Sequence, residues 1–282
     1  MKKLAVVFVV VMLAIATQSS AGIYYVAKTT AEGGRAAAQQ AMVVKAWASG
    51  DAGKVVFEQS RNPVMGQGTY LITKDGGKTM FLVNPKDKTY MKWDMESMMG
   101  FLGGAMTMMH FKYEDPKVEK LSEEPDGMVA GIPTVHYKYR TSYTVSMSML
   151  MIHKTMHTVK EEDIWAAPKL AEAALGIWLR KTPPKTGNEE LDNMMRAEMG
   201  KIQGFPLKIR TVSTQTDEKG KTETTTTQME VTELEMQSVP ASTFEVPADY
   251  KETSMTPGEE GSEKGDESSN PFAKMFGKKK PS

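Results

Sequence analysis

TYLITKDGGKTMFLVNPKDKTYMKW, residues Thr69 to Trp93, holds three short runs rich in Tyr, Leu, Ile, Phe, Val and Thr. Asp75-Gly76-Gly77 and Asn84-Pro85-Lys86-Asp87 separate them. Residues that favour a pleated surface, alternating with turn formers at this spacing, predict antiparallel hairpins. The connections are too short for crossover helices, which excludes a parallel sheet here. Upstream, Ile23 to Glu32, Met42 to Ser49 and Lys54 to Gln59 have the same texture, with a turn at Asp51-Ala52-Gly53.

Downstream the period changes. Met95, Met98, Met99, Leu102, Ala105, Met106 and Met109 recur at three- and four-residue spacing, which predicts one face of a helix from Asp94 to His110. Asp94 suits the N-cap, with Glu96 in the first turn. Gly100, Gly103 and Gly104 lie inside it, each costing about 1 kcal/mol relative to alanine. Alanine at all three should therefore stabilise the helix.

Strand texture returns from Lys117 and dominates Pro133 to Ile164. Read as one strand, Tyr143 to Val159 places Val145, Met147, Met149, Met151 and His153 on one face, with apolar residues on both faces in its middle. A helical pair is expected next. The first member starts at Pro168 and carries Leu170, Leu175, Trp178 and Leu179; the second is capped by Asn188 and carries Leu191, Met194, Met195, Met199 and Ile202. Leu207 to Thr216 and Lys221 to Gln237 then read as a hairpin around Gly220.

Four stretches carry a family likeness: VNPKDKTYMKW (Val83 to Trp93), DGMVAGIPTVHYKYRT (Asp126 to Thr141), GFPLKIRT (Gly204 to Thr211) and SVPASTFEVPADY (Ser238 to Tyr250). Together with the order of elements they resemble the periplasmic lipoprotein-carrier superfamily, and most closely an exported branch of it that carries the label DUF4412. The resemblance implies an α+β, mainly β fold: an antiparallel, incompletely closed β-barrel with a helical lid and a helical pair. It implies a sheltered apolar cavity. The carriers begin with a helix, whereas Ile23 to Glu32 reads as strand, and the groups that handle lipid anchors in those carriers have no counterpart here. The likeness is one of fold, and its motifs are structural.

The ends read differently. Met1-Lys2-Lys3, an apolar run from Leu4 to Ala16 and small residues Ser19 and Ala21 form a signal peptide, residues 1 to 21, with cleavage near Ala21 and a periplasmic or otherwise exported product. The barrel domain should run from Gly22 to Ser254. Met255 to Ser282 is rich in Gly, Ser, Glu and Lys and reads as a disordered polar tail. Phe272, Met275 and Phe276 ahead of Lys278-Lys279-Lys280 could give that tail a weak peripheral contact with an anionic membrane.

Composition narrows the function. The absence of cysteine excludes disulfides and thiolate chemistry. Balanced charge, with 35 basic and 35 acidic residues, argues against nucleic acid as a partner. No nucleophile elbow, zinc helix or phosphate loop accompanies the four histidines, and the pairs Glu123-Glu124, Glu161-Glu162 and Glu189-Glu190 read as solvated surface. No catalytic residue, metal site or cofactor is expected.

The excess is in methionine, 24 residues. Unbranched and polarisable, Met accepts ligands of varied shape. The reading is thus a non-enzymatic envelope protein that binds a lipid, an acyl chain or another apolar small molecule. Met95, Met98, Met99, Leu102, Met106, Met109, Met147, Met149, Met151 and Trp178 would line the cavity and its lid. One alternative is a structural module without ligand, its apolar faces buried against each other or against an envelope protein partner. The other is a copper(I) protein using the Met and His of residues 106 to 110 and 147 to 157.

Overall fold

The computed structural model describes residues 19–34, 37–149, 152–170, 182–183, 185–201 and 203–253. The expected first helix of the pair lies outside them beyond Leu170, Trp178 included, as do Met151, most of the expected signal peptide and the stretch expected to form a tail.

The protein is mainly β. In chain order the elements are β1 (Ser19–Glu32), α1 (Ala37–Gln40), β2 (Met42–Ser49), β3 (Ala52–Ser60), β4 (Tyr70–Thr73), β5 (Thr79–Asn84), β6 (Thr89–Asp94), α2 (Met95–Met108), β7 (Lys112–Val129), β8 (Ile132–Met149), β9 (Ile152–Ala167), α3 (Glu189–Gly200), β10 (Phe205–Asp217), β11 (Thr222–Pro240) and β12 (Lys251–Glu252). Among the described residues one twelve-stranded sheet contains every strand, in the order β12-β6-β5-β4-β3-β2-β1-β11-β10-β9-β8-β7. Neighbours are antiparallel except β12 beside β6. β1 stands between the wings, pairing with β2 on one side and β11 on the other.

The expected hairpins form for the expected reasons. Asp75 accepts from the backbone N–H of Thr79 at 2.9 Å and from the Thr73 hydroxyl at 3.0 Å, and Gly76 and Gly77 take positive φ at the turn. Asn84 accepts from the N–H of Lys86 at 3.1 Å, a local turn device. Strand pairing sets two faces. On the first lie Ile23, Tyr25, Ala46, Val55, Phe57, Leu71, Leu82, Leu207 and Val231, a single apolar cluster; Tyr137, Tyr139 and Ile164 continue that face across the far wing. On the second face Tyr70, Ile72 and Val83 are covered by Val239 and Phe244, with Val246 and Tyr250 against them. The C-terminal motif thus closes over β4 to β6, where β12 adds to β6 through Lys251 N–H to Lys88 O at 2.9 Å.

Two expectations change. The sheet does not close into a barrel, because β7 and β12 are its two ends. The free edge at β7 is blunted by three register breaks, by Pro116 and Pro125, and by exposed charges. Second, Tyr143 to Val159 is not one strand. The chain reverses after Met149, which pairs with Ile152, so Met147 lies opposite Lys154 and Ser148 opposite His153. Met147 therefore faces away from His153, since neighbouring pairs in a ladder point to opposite faces.

The sheet nevertheless curls. β6 and β7 stand ten strand spacings apart, roughly 48 Å along a flat sheet. α2 joins them with 14 helical residues, about 21 Å, and a three-residue extension adds at most about 11 Å. The outer strands must bend toward each other, with α2 across the opening.

Candidate functional site

α2 is set by its ends. Asp94, the last residue of β6, is extended at φ −77 and ψ 110, and its carboxylate accepts from the N–H of Ser97 at 2.7 Å. That bond holds the Asp94 carboxyl below its ordinary range. Asp94→Ala is expected to destabilise the helix start, measured as a fall in the urea midpoint with the slope unchanged. At the other end His110 takes φ 50, and the N–H groups of His110 and Phe111 donate to Thr107 O at 3.0 Å and Met106 O at 2.9 Å. This is a Schellman closure with histidine in the left-handed position.

Between the caps the helix turns Met95, Met98 and Met99 onto the first face of the sheet, Met95 fully buried. Met106 and Met109 are half-buried. Leu102 departs from expectation: it is 45% exposed, and the buried residue at this level is Gly103. The cause is Thr186. A Cβ on Gly103 would stand 1.9 Å from the Thr186 carbonyl oxygen, so only glycine admits the loop ahead of α3 at this point. That loop is anchored by Asp192, which accepts from both the N–H and the hydroxyl of Thr186 at 2.7 Å. Burial disfavours the charged Asp192, but these hydrogen bonds outweigh it and the carboxyl is held low. Gly100 and Gly104 face open space, so the three glycines are not equivalent.

Beneath α2 the sheet answers in kind. Met80 is buried in the same cluster, and Met42, Met91 and Met229 of the sheet, with Met65 from the β3–β4 loop, pack against it beside Met98 and Met99. Tyr25 and Phe205 form its aromatic floor, edge to face at 5.3 Å. Trp93, opposite Met80, also packs there, and its Nε1 is buried without a hydrogen-bond partner. These sheet residues were not among those singled out from sequence. Their period-2 placement marked them as one face of a strand, but nothing local marked that face as the one under the helix.

The remaining candidates divide. Met147 is half-buried on the first face with Tyr139, and the neighbouring Ser148 N–H donates to Met109 O at 3.3 Å. The far end of α2 thus meets the tip of the β8–β9 hairpin. Met149 contributes backbone pairing with Ile152. Met151 and Trp178 lie outside the described residues. His153 and His157 lie on the second face, bonded to Ser148 at 2.9 Å and Thr144 at 3.1 Å, so they do not converge with Met147 on a common metal position. His136 bonds Asp163 at 3.0 Å and stacks on Trp165 at 4.4 Å, also on the second face.

One acidic pair was misread. Glu161 is exposed, but Glu162 bonds the buried Lys201, which also meets Glu198 at 2.9 Å, while Glu198 holds Lys160 at 3.1 Å. Burial disfavours the charged Lys160, yet Glu198 and Glu162 outweigh it and raise the lysine above its ordinary range. This network ties α3 to β9.

A family model described as a domain of unknown function (DUF4412) matches residues 52–250. No curated protein matches the chain.

Proposed function

The chain belongs to the DUF4412 family, and for this member we propose an exported, non-enzymatic protein that shelters an apolar ligand, such as a lipid, an acyl chain or a lipid anchor, between α2 and the first face of the sheet. The observation that carries this reading is the meeting of methionines from both sides: Met95, Met98 and Met99 from the helix, with Met42, Met80, Met91 and Met229 from the sheet and Met65 from the β3–β4 loop. Such side chains repack at low cost around varied shapes. α2 is an added layer with its own caps, packed through Met95, Met98 and Met99 and meeting Thr186 at Gly103, and it contributes no strand, so it can shift without breaking the sheet. An open sheet crossed by a helix is also the arrangement expected of the lipoprotein-carrier superfamily, to which we assign the chain.

The test is direct titration. Delipidated protein should take up a fluorescent fatty acid, and Met99→Asp or Met106→Asp should weaken binding by about tenfold or more, because a charge is forced into an apolar contact. Unaltered affinity in both variants would remove α2 from the site. Lipids extracted from protein made in its native compartment should belong to one class.

A second reading rests on the outer side of the helix, where Phe101 is 79% and Met108 78% exposed. A protein partner would seat there. Phe101→Ser with Met108→Ser should then abolish the partner and leave fatty-acid uptake intact.

A further inference from the structure

Among the described residues two buried side-chain polar atoms have no hydrogen-bond partner, Trp93 Nε1 and Thr141 Oγ1. Both lie on the first face of the sheet, by their pairing with Met80 and Lys160. Their settings differ. Thr141 sits on the far wing opposite Lys160, which α3 engages through Glu198 at 3.1 Å. Trp93 is the residue before the Asp94 cap, at the root of α2 and within the methionine cluster. A buried indole N–H ordinarily finds an acceptor, because the ring is a large apolar body with one polar handle.

We propose that Trp93 Nε1 is the polar anchor of the site and that the ligand is an acyl chain whose carbonyl oxygen accepts this N–H. The inference rests on the apolar-ligand reading above and deepens it. An indole N–H is a donor only, so it selects an acceptor and leaves a plain hydrocarbon with no gain. Charge narrows the head group. Trp93 is surrounded by the apolar side chains of the methionine cluster, while Lys92 and Asp94, in register with Phe81 and Thr79, both lie on the opposite face of β6. A neutral ester or amide carbonyl is therefore favoured over a carboxylate, whose charge would lose its solvation within that apolar cluster. The methionines of α2 and the sheet then receive the chain, with the head group at the hinge end of the helix.

The experiment uses the full chain and three pyrene-labelled probes of equal length: a methyl ester, the free acid and the hydrocarbon. Wild-type protein should bind the ester about tenfold more tightly than the hydrocarbon, with the acid between them. Trp93→Phe keeps the ring and deletes the donor. It should bind ester and hydrocarbon with equal affinity, losing the preference with the donor. Thr141→Val, which deletes the other unpartnered group, should keep the wild-type preference.

A wild-type protein that binds hydrocarbon as well as ester overturns the anchor while leaving the apolar site standing. So does a Trp93→Phe variant that keeps the preference. Failure of all three probes to bind overturns both. Should Trp93→Phe not fold, the wild-type ratio of ester to hydrocarbon decides the matter alone. An acid that binds more tightly than the ester would reject the neutral head group.

Discussion

Alanine at Gly103 is expected to lower stability by about 2 kcal/mol, although alanine is the better helix former. The added Cβ would lie 1.9 Å from the Thr186 carbonyl oxygen and 2.8 Å from its carbon, both backbone atoms that have no rotamer to change. The loop cannot retreat freely, because Asp192 fastens Thr186 through two bonds of 2.7 Å. Relief has to come from lifting α2 or from displacing the start of α3, and either uncovers part of the apolar cluster. Alanine at Gly100 or Gly104 meets nothing within 4 Å and should instead stabilise by about 0.5–1 kcal/mol each. Urea unfolding of the three single variants separates the cases by sign. If Gly103→Ala is as stable as Gly100→Ala, the contact with Thr186 does not hold the helix. The double variant at Gly100 and Gly104 should also slow uptake of a fatty acid if local weakness of α2 is what admits ligand.

That reversal of sign at one glycine shows what the sequence carried and what it did not. Local chemistry was legible. Asp75-Gly76-Gly77 marked a turn because the loop needs positive φ and a side-chain acceptor, and both are present. Asp94 and Asn188 marked helix starts because each has an oxygen placed for the N–H three residues on, and both bonds form, Asn188 accepting from Leu191 at 2.9 Å. The closing run from Val239 to Val246 was legible through its prolines and its spaced apolar residues, and it packs as one cluster over β4 and β5.

Non-local chemistry was not legible. Gly103 meets Thr186 across more than eighty residues of chain, so its helical spacing alone made it look like Gly100. The reversal after Met149 contains no Gly, Pro, Asn or Asp; Met149-Leu150-Met151-Ile152 simply continued the period-2 pattern, and His153 was assigned to the wrong face. The central position of β1 depends on its pairing with β11, two hundred residues away. Turn chemistry places neighbours in sequence; which strand joins the two wings depends on the whole chain.

Lys201→Ala is expected to be the most damaging single change outside the core, costing about 3–5 kcal/mol. Its position after the end of α3 suits a solvated lysine that offsets the helix dipole, yet its side chain is only 2% exposed. It bonds Glu162 on β9 and Glu198 on its own helix, and its ammonium lies 5.9 Å from the Tyr139 ring. Deleting it leaves two partly buried carboxylates sharing Lys160 alone. Removing charge on both sides, as in Lys201→Met with Glu162→Gln, should cost much less than the sum of the single changes, since no uncompensated ion remains at that contact.

The same network sets the pH response. Burial disfavours charge on Glu198, but Lys160 and Lys201 outweigh it and hold the carboxyl below its ordinary range. Its stabilisation is therefore complete above the ordinary glutamate value, about 4.3, and is lost as pH falls through the lower folded value. Lys160 is shifted upward, so its contribution is complete below the ordinary lysine value, about 10.4, and is lost as pH rises through the higher folded value. Urea midpoints should accordingly lie on a plateau from about pH 5 to 10, with a fall on each side. Glu198→Gln should flatten the acid limb and shrink the alkaline one, because Glu162 still faces Lys160. An acid limb unchanged in Glu198→Gln would mean that α3 is fastened to β9 by something other than these charges.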